Sequence, residues 1–391
     1  MSGPLEGLRV VALEQAVAMP FCSFILAELG ADVIKIERTG LGDVVRGWDG
    51  VVDGISAGFV AVNAGKRDLA VDLSQPEGRT IVRRLGEAAD VFLENFAPGV
   101  ADRLGLGEAE LRAANPHLVY ASISGYGHRG PYRDVKAYDL LIQGEAGILL
   151  SQGTEAAPAK VGLPITDLIG GTTAVIGVLA ALMQRQQGGR GAYLDVSLLE
   201  ATVSWLIYFP QRFWHTGEEP PRSGLRHQYL CPYGPYLAGD GQYVNLVVAS
   251  DRDWERFCRL VVHRLEWISA PDFASVLSRS QHRGELDQLL EPVMASEPSP
   301  VWFSRLRAAQ LAHGEVRGMA DVVSHPQLQD ANLFVAATSP VGEVPLVRFP
   351  LAEPDRPRRL PGLGEDTEAV LTDLGYSRDE IRDMRAAGVV Q

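Results

Sequence analysis

Five short runs rich in β-branched residues, "LRVVAL" (8–13), "DVIKIE" (32–37), "LAVDL" (69–73), "VFLEN" (91–95) and "LVYASIS" (118–124), recur with helical patterns between most of them. Few folds are open to a chain that alternates in this way. Consecutive parallel strands need a crossover, and a helix is the usual one. "PFCSFILAEL", with Pro20 at a first-turn position and Gly30 just beyond, and "PEGRTIVRRLGEA", opened by Pro76, read as two such crossovers. The expected class is α/β, with parallel strands and helices. Sheets of that kind bind ligands beyond the carboxyl ends of their strands. Arg38, Asn95 and Lys136 fall near those ends or just after them.

At 391 residues the chain exceeds one simple core, so two domains, or one large domain with an insert, are expected. Helical character runs from Asp139 to Phe213, interrupted by "QQGGRGAYLDVS", where Gly188, Gly189 and Gly191 mark a turn. The texture changes over 215–248, which is rich in Pro and Gly before it becomes strand-like, with "GDG" as a hairpin turn. A domain boundary is therefore placed near 215–228. Helices are expected at 253–263, 285–295 and 301–309, a strand at 345–351, and a helical tail with Asp366 or Thr367 as its cap.

Composition removes several function classes. A formal charge of -13 argues against nucleic-acid and anionic-membrane partners, which are held mainly by Lys and Arg. An anionic substrate would need a local basic pocket. Cys22, Cys231 and Cys258 form no C-x-x-C pair and suggest neither disulfides nor a metal site. "MSGPLEGLRVVALEQ" lacks a basic start followed by an apolar core, so no signal peptide is indicated and the cytoplasm is the expected compartment. The most apolar run, 168–183, is 16 residues long, short of the roughly 20 a membrane helix needs; a buried helix is expected. The segment after the first strand, "EQAVAMPF", lacks the G-x-G-x-x-G turn of dinucleotide sites. No P-loop, H-E-x-x-H or G-x-S-x-G occurs either.

One carboxylate stands alone. In "AKVGLPITDLIGGTTAVIGVLAALMQR", Asp167 is the only acidic residue, placed at the start of the apolar segment beside Gly170 and Gly171. A helix cap worth about 1 kcal/mol accounts for it as well as chemistry does. Arg38, Lys66, Arg67 and Lys136 fit solvated surface charges, Asn95 fits a turn, and Tyr138 fits half-buried core.

Taken together, "LRVVALEQAVAMPFCSFILAELGADVIKIE", "NFAPGVADRLGLG", "SGYGHRGPYRDVKAYDLLIQGEAG", "LPITDLIGG", "RHQYLCPYGPYLAGDGQYV" and "LGEDTEAVLTDLGY" resemble, in that order, the family III CoA-transferases, also called the CaiB/BaiF family. The resemblance covers nearly the whole chain. It implies a Rossmann-like large domain from 1–215, a small α+β domain with linkers at 216–325, and a C-terminal part, 326–391, returning to the large domain. It also implies an interlocked homodimer. By position, the CoA contacts would be Val17, Ala18, Arg38, Val71, Asp72, Asn95, Phe96, Ala97, Arg103, Lys136, Ala137 and Tyr138; Ser74 stands where formyl-CoA transferase has Lys. Asp167 matches the catalytic aspartate, which forms an anhydride and then a CoA thioester, so neither ATP nor a cofactor beyond CoA is implied. Gly170 and Gly171 are candidate oxyanion donors or packing residues.

A racemase of the family carries a His immediately before Asp139, where this chain has Tyr138. With a phenol pKa of about 10, Tyr is poorly matched to shuttling an α-proton. The transferase reading is preferred over a racemase or epimerase, and over a non-catalytic CoA-binding protein. "KAYDLLIQGEAG" followed by "PAKVG" is similar to the branch acting on mesaconate, itaconate, citramalate and succinate, so a small dicarboxylate is expected. Arg46, Arg226 and His227 are the candidates for its distant carboxylate. The glycine-rich covering loop of formyl-CoA transferase has no counterpart in "NLVVASDRDWERF", which counts against oxalate or formate.

Overall fold

The strands β1 (Arg9–Leu13), β2 (Asp32–Glu37), β3 (Arg67–Ala70), β4 (Val91–Glu94), β5 (Val119–Ser124) and β6 (Tyr193–Ser197) form one sheet in the order β3-β2-β1-β4-β5-β6 in the computed structural model, which describes residues 3–391. Every neighbouring pair in it is parallel. The order reverses between β1 and β4, and the loops beyond that point diverge to leave a crevice. β1, β2, β4 and β5 lie where the β-branched runs predict them, and β3 begins two residues earlier, at Arg67. β6 is the strand the sequence hides: "YLDVS" follows a glycine-marked turn and is buried only at Val196 and Ser197.

The chain divides into two compact units. The first runs to Gly147 and takes up again at Val161–Pro210 and Pro326–Gln391. Its longest helix, Ile165–Gly188, is long and apolar enough to cross a membrane by length and composition, yet half of its apolar window is buried inside the protein. It outruns the expected 16-residue span because "QRQQG" continues the helix until Gly189 ends it at φ 72°. β10 (Phe334–Ser339) and β11 (Gly342–Val347) pair antiparallel in the same unit. The tail supplies Thr367–Asp373 and Arg378–Ala386; Asp366 precedes the first of these without capping it through its side chain.

The second unit comprises Ile148–Lys160 and Gln211–His325. β7 (Tyr233–Leu237) and β8 (Tyr243–Val247) form the hairpin read from "GDG", and β9 (Ala312–Glu315) adds to β8. Its core is aromatic, built on Trp254, Phe257, Trp267 and Trp302. Residues 148–160 join this unit through hydrogen bonds that no hydrophobic period announces: Arg222 donates to the Thr154 and Glu155 carbonyls, and the Gly224 N–H to Gly153.

Candidate active site

The helix Ile165–Gly188 begins after Pro164, and Asp167 is its third residue. The local pattern allowed Asp167 to be the cap, but another carboxylate has that role. Asp139, first residue of the helix Asp139–Glu145, accepts the Thr166 N–H at 2.8 Å and the Thr166 hydroxyl at 2.9 Å. Its second oxygen accepts from Gln143 at 2.8 Å. The half-buried Asp167 carboxylate has no hydrogen-bond partner among the described residues. Burial, with the Asp139 charge adding to it, pushes Asp167 up to about 7. A carboxylate without a partner, poised near neutrality, suits a nucleophile.

The adjacent glycines serve packing. Gly170 and Gly171 lie in the second helical turn, where N–H groups are taken by carbonyls four residues back. A Cβ on Gly170 would stand 2.3 Å from Leu198 Cδ2, and one on Gly171 2.6 Å from the Ala18 carbonyl oxygen. They are therefore not the oxyanion donors. Asp167 and Gly171, one turn apart, share a helix face. That face is directed at the start of the helix Ala18–Glu28, whose preceding residue, Val17, has no side-chain acceptor to cap it. The N–H groups of Ala18 and Met19 have no partner among the described residues. They are free donors at the positive end of a helix.

Beyond β1, β2 and β3 lies a cleft of about 330 Å³, lined among others by Arg38, Val71, Asp72, Ser74 and Phe96. Arg38 Nε donates to the Gly42 carbonyl at 2.9 Å, and its two terminal nitrogens have no partner among the described residues. The Asp72 carboxylate accepts from Ser74 N–H and Gln75, shaping its own turn. Asn95 bridges the switch point: its amide and carbonyl bond the Gln15 backbone at 2.9 and 3.0 Å. Ala97 lies in a separate small cavity with Glu94 and His128. Ala137 packs against Gly125, where a Cβ would sit 2.1 Å from its own. Lys136 is exposed and Tyr138 is 76% exposed, so Tyr138 is not core.

Arg103 and Arg133 both come within 3.5 Å of the Cβ position of Gly99, in the turn after β4. Arg133 is a cation that sequence reasoning missed; "GPYRDVKAYD" gives no sign that its loop folds back onto that turn. Lys66, expected at the surface, is 1% exposed and donates to Glu14 at 2.7 Å. Arg67 is half-buried and pairs with Asp32 and Asp373.

The three candidates for a distant carboxylate are all engaged. Arg46 grips Glu37 with two bonds of 2.8 Å and stacks on Phe59. In the second unit, Arg226 pairs with Asp287 and Glu291 and covers Tyr236. His227 Nδ1 accepts the N–H groups of Tyr229 and Leu230, and burial with Arg283 nearby holds its pKa down. Such an imidazole is a neutral turn anchor.

The model of CoA-transferase family III matches residues 5–367. A succinyl-CoA:glutarate CoA-transferase of Mus musculus is 31% identical over 396 residues, spanning 99% of this chain and 90% of its own. An acetyl-CoA:oxalate CoA-transferase of Acetobacter aceti is 34% identical over 335 residues, 85% of this chain and 86% of its own. A solved CAIB/BAIF family protein from Brucella suis superposes with a TM-score of 0.83 at 33% identity, over 96% of this chain and 100% of that one.

Proposed function

Because this chain belongs to CoA-transferase family III, we propose that it moves CoA from an acyl-CoA to a small dicarboxylic acid through covalent intermediates on Asp167. The observation that carries this reading is the Asp167 carboxylate itself, partnerless and raised to about 7, while Asp139 caps the helix. An Asp167 oxygen attacks the thioester carbonyl; the C–S bond breaks, and a mixed anhydride and CoA thiolate result. The thiolate then attacks the aspartyl carbonyl, the donor acid departs as a carboxylate, and Asp167 holds CoA as a thioester. The acceptor carboxylate repeats the two steps in reverse and leaves as its own CoA ester. Thioester energy is conserved throughout, so no ATP is consumed and no further cofactor is called on. The Ala18 and Met19 N–H groups are the proposed donors to the oxyanion at each tetrahedral stage.

For CoA itself, the cleft beyond β1 to β3 supplies apolar walls in Val71 and Phe96 and a cation in Arg38. Arg103, Arg133 and Lys136 add positive charge for the phosphates. Replacing Arg38 by Ala is expected to raise KM for the CoA ester roughly tenfold with kcat little changed, the loss of one charged contact. Initial-rate kinetics check it.

The dicarboxylate reading is supported by relatives named for succinate, glutarate and oxalate. Oxalate, disfavoured by the missing covering loop, therefore stays in the test. The protein is incubated without ATP with succinyl-CoA and a panel of mono- and dicarboxylic acids, and new CoA esters are read by mass spectrometry. Preferential esters of dicarboxylates are expected; a preference for monocarboxylates overturns the substrate class. The working form is proposed to be a cytoplasmic interlocked homodimer, with light scattering as its check.

Since the nucleophile must be ionised, kcat/KM is expected to rise with pH through about 7, the value to which Asp167 is raised. Asp139→Asn still accepts the Thr166 N–H but removes one charge that raises Asp167, so the acid limb should move to lower pH. A pH–rate profile in which Asp139→Asn keeps the parent's limb contradicts this coupling.

A further inference from the structure

β4 ends at Glu94, which stands opposite Leu13 on β1 and Ser122 on β5, and its side chain is buried. Oε2 accepts the Phe96 N–H at 2.8 Å, and the Ser122 side chain, opposite on β5, lies near enough to the same carboxylate to favour its charged form. Ser122 Oγ lies 2.8 Å from His128 Nε2, and the His128 N–H donates to Asp195 on β6 at 3.0 Å. The relay Phe96–Glu94–Ser122–His128 thus runs beneath the sheet's carboxyl end. It ties the turn Asn95 to Ala97 to the loop that begins at Gly125 and carries Lys136, Ala137 and Tyr138.

We propose that Glu94, acting through Phe96 on one side and Ser122 and His128 on the other, is a positioning residue that holds both CoA-contacting loops in register. This rests on the CoA cleft proposed above. Asp102 from the helix Val100–Arg103, Glu108 from the helix Glu108–Ala114, Tyr120 on β5, Tyr193 on β6 and His128 line one small cavity with Glu94, and the Asp195 charge on β6 also acts on it. No lysine or arginine lines the small cavity they enclose, among the described residues. Burial first, then the Asp102 and Asp195 charges, push the Glu94 carboxyl up to about 7. Its charged form binds the Phe96 N–H more strongly than its neutral form, since charge assistance about doubles such bonds. CoA affinity therefore rises as pH climbs through that value.

The test measures CoA binding by calorimetry on the full chain carrying Asp167→Asn, which removes the titration of the nucleophile itself. Measurements are made roughly one unit below and one above pH 7. In that background Glu94→Gln should abolish most of the protein's share of the pH difference, the titration of CoA itself being common to both variants. Glu94→Ala should weaken CoA roughly tenfold at the higher pH, and Ser122→Ala, which removes the step between Glu94 and His128 but leaves the Phe96 N–H bond, roughly threefold. A purely structural Glu94 would lower the melting temperature but leave the pH difference intact. If Glu94→Gln keeps that difference, or Ser122→Ala binds CoA as its parent does, the proposal is overturned. Arg38→Ala separates the two layers: CoA binding that it weakens but the Glu94 and Ser122 variants do not sinks this inference alone. Binding that is indifferent to Arg38 as well sinks the cleft.

Discussion

Asp167→Asn is expected to lower the transfer rate by on the order of 10⁴-fold or more, with CoA affinity changed by no more than about twofold. The amide is close in shape to the carboxyl group and makes no new demand on the fold, because Asp167 accepts no bond that would be lost and Asp139 already caps the helix. What disappears is the nucleophile, and with it both the anhydride and the aspartyl thioester. Since all four acyl-transfer steps pass through that one carboxyl, no partial route remains. Steady-state kinetics beside calorimetry separate the two quantities. Intact-protein mass spectrometry after mixing with acyl-CoA adds a direct reading: the parent should carry a CoA adduct on Asp167 and the variant none. A variant that transfers as well as the parent would remove Asp167 from the mechanism.

Which parts of this site the sequence discloses follows from how local each signal is. β1, β2, β4 and β5 are legible because a buried parallel strand is a dense local run of β-branched residues. β6 is not, because "YLDVS" is half-exposed and carries an Asp in its middle. The position of Asp167 at a helix start is legible from Pro164 and the apolar run that follows. That Asp139 caps the helix is not, since 27 positions separate it from Thr166 and only the fold brings them together. The same limit hides Arg133 at Gly99 and the bond from the His128 N–H to Asp195, 67 positions away. Lys66 looks like a surface residue because a lysine beside an arginine usually is one; its partner, Glu14, lies 52 positions away. A charge is predictable from sequence, but its compensation is a tertiary fact.

Lys35→Met should be among the most damaging single changes to stability, at about 3–5 kcal/mol. Lys35, Glu14, Asp43 and Lys66 form a buried set of two cations and two anions beneath the ends of β1 and β2. Lys35 Nζ donates to Asp43 at 2.8 Å and reaches Glu14 at 3.5 Å. Burial alone would lower its pKa, but the Glu14 and Asp43 charges together outweigh that and raise it above the ordinary lysine value. The sign follows: stability from the raised Lys35 pKa is fully present below the unfolded value of about 10.4 and is lost only as pH rises through the folded one. The cost at neutral pH should therefore not vary between mildly acid and neutral buffers. Methionine fills the volume but leaves Asp43 buried without its cation. Asp43 matters beyond charge, because its Oδ1 accepts the Ala16 N–H at 3.0 Å and holds Ala16 at φ 62°, just before the Val17 and Ala18 helix start. The double variant Lys35→Met with Asp43→Asn removes the orphaned charge while keeping an oxygen for Ala16. It should recover most of the melting temperature, with a coupling of about 1–3 kcal/mol in the double-mutant cycle. If the Ala16 to Ala18 turn supplies the oxyanion donors, transfer activity should return with it. A double variant no more stable than Lys35→Met would show that packing at Lys35, and not the uncompensated Asp43, sets the cost.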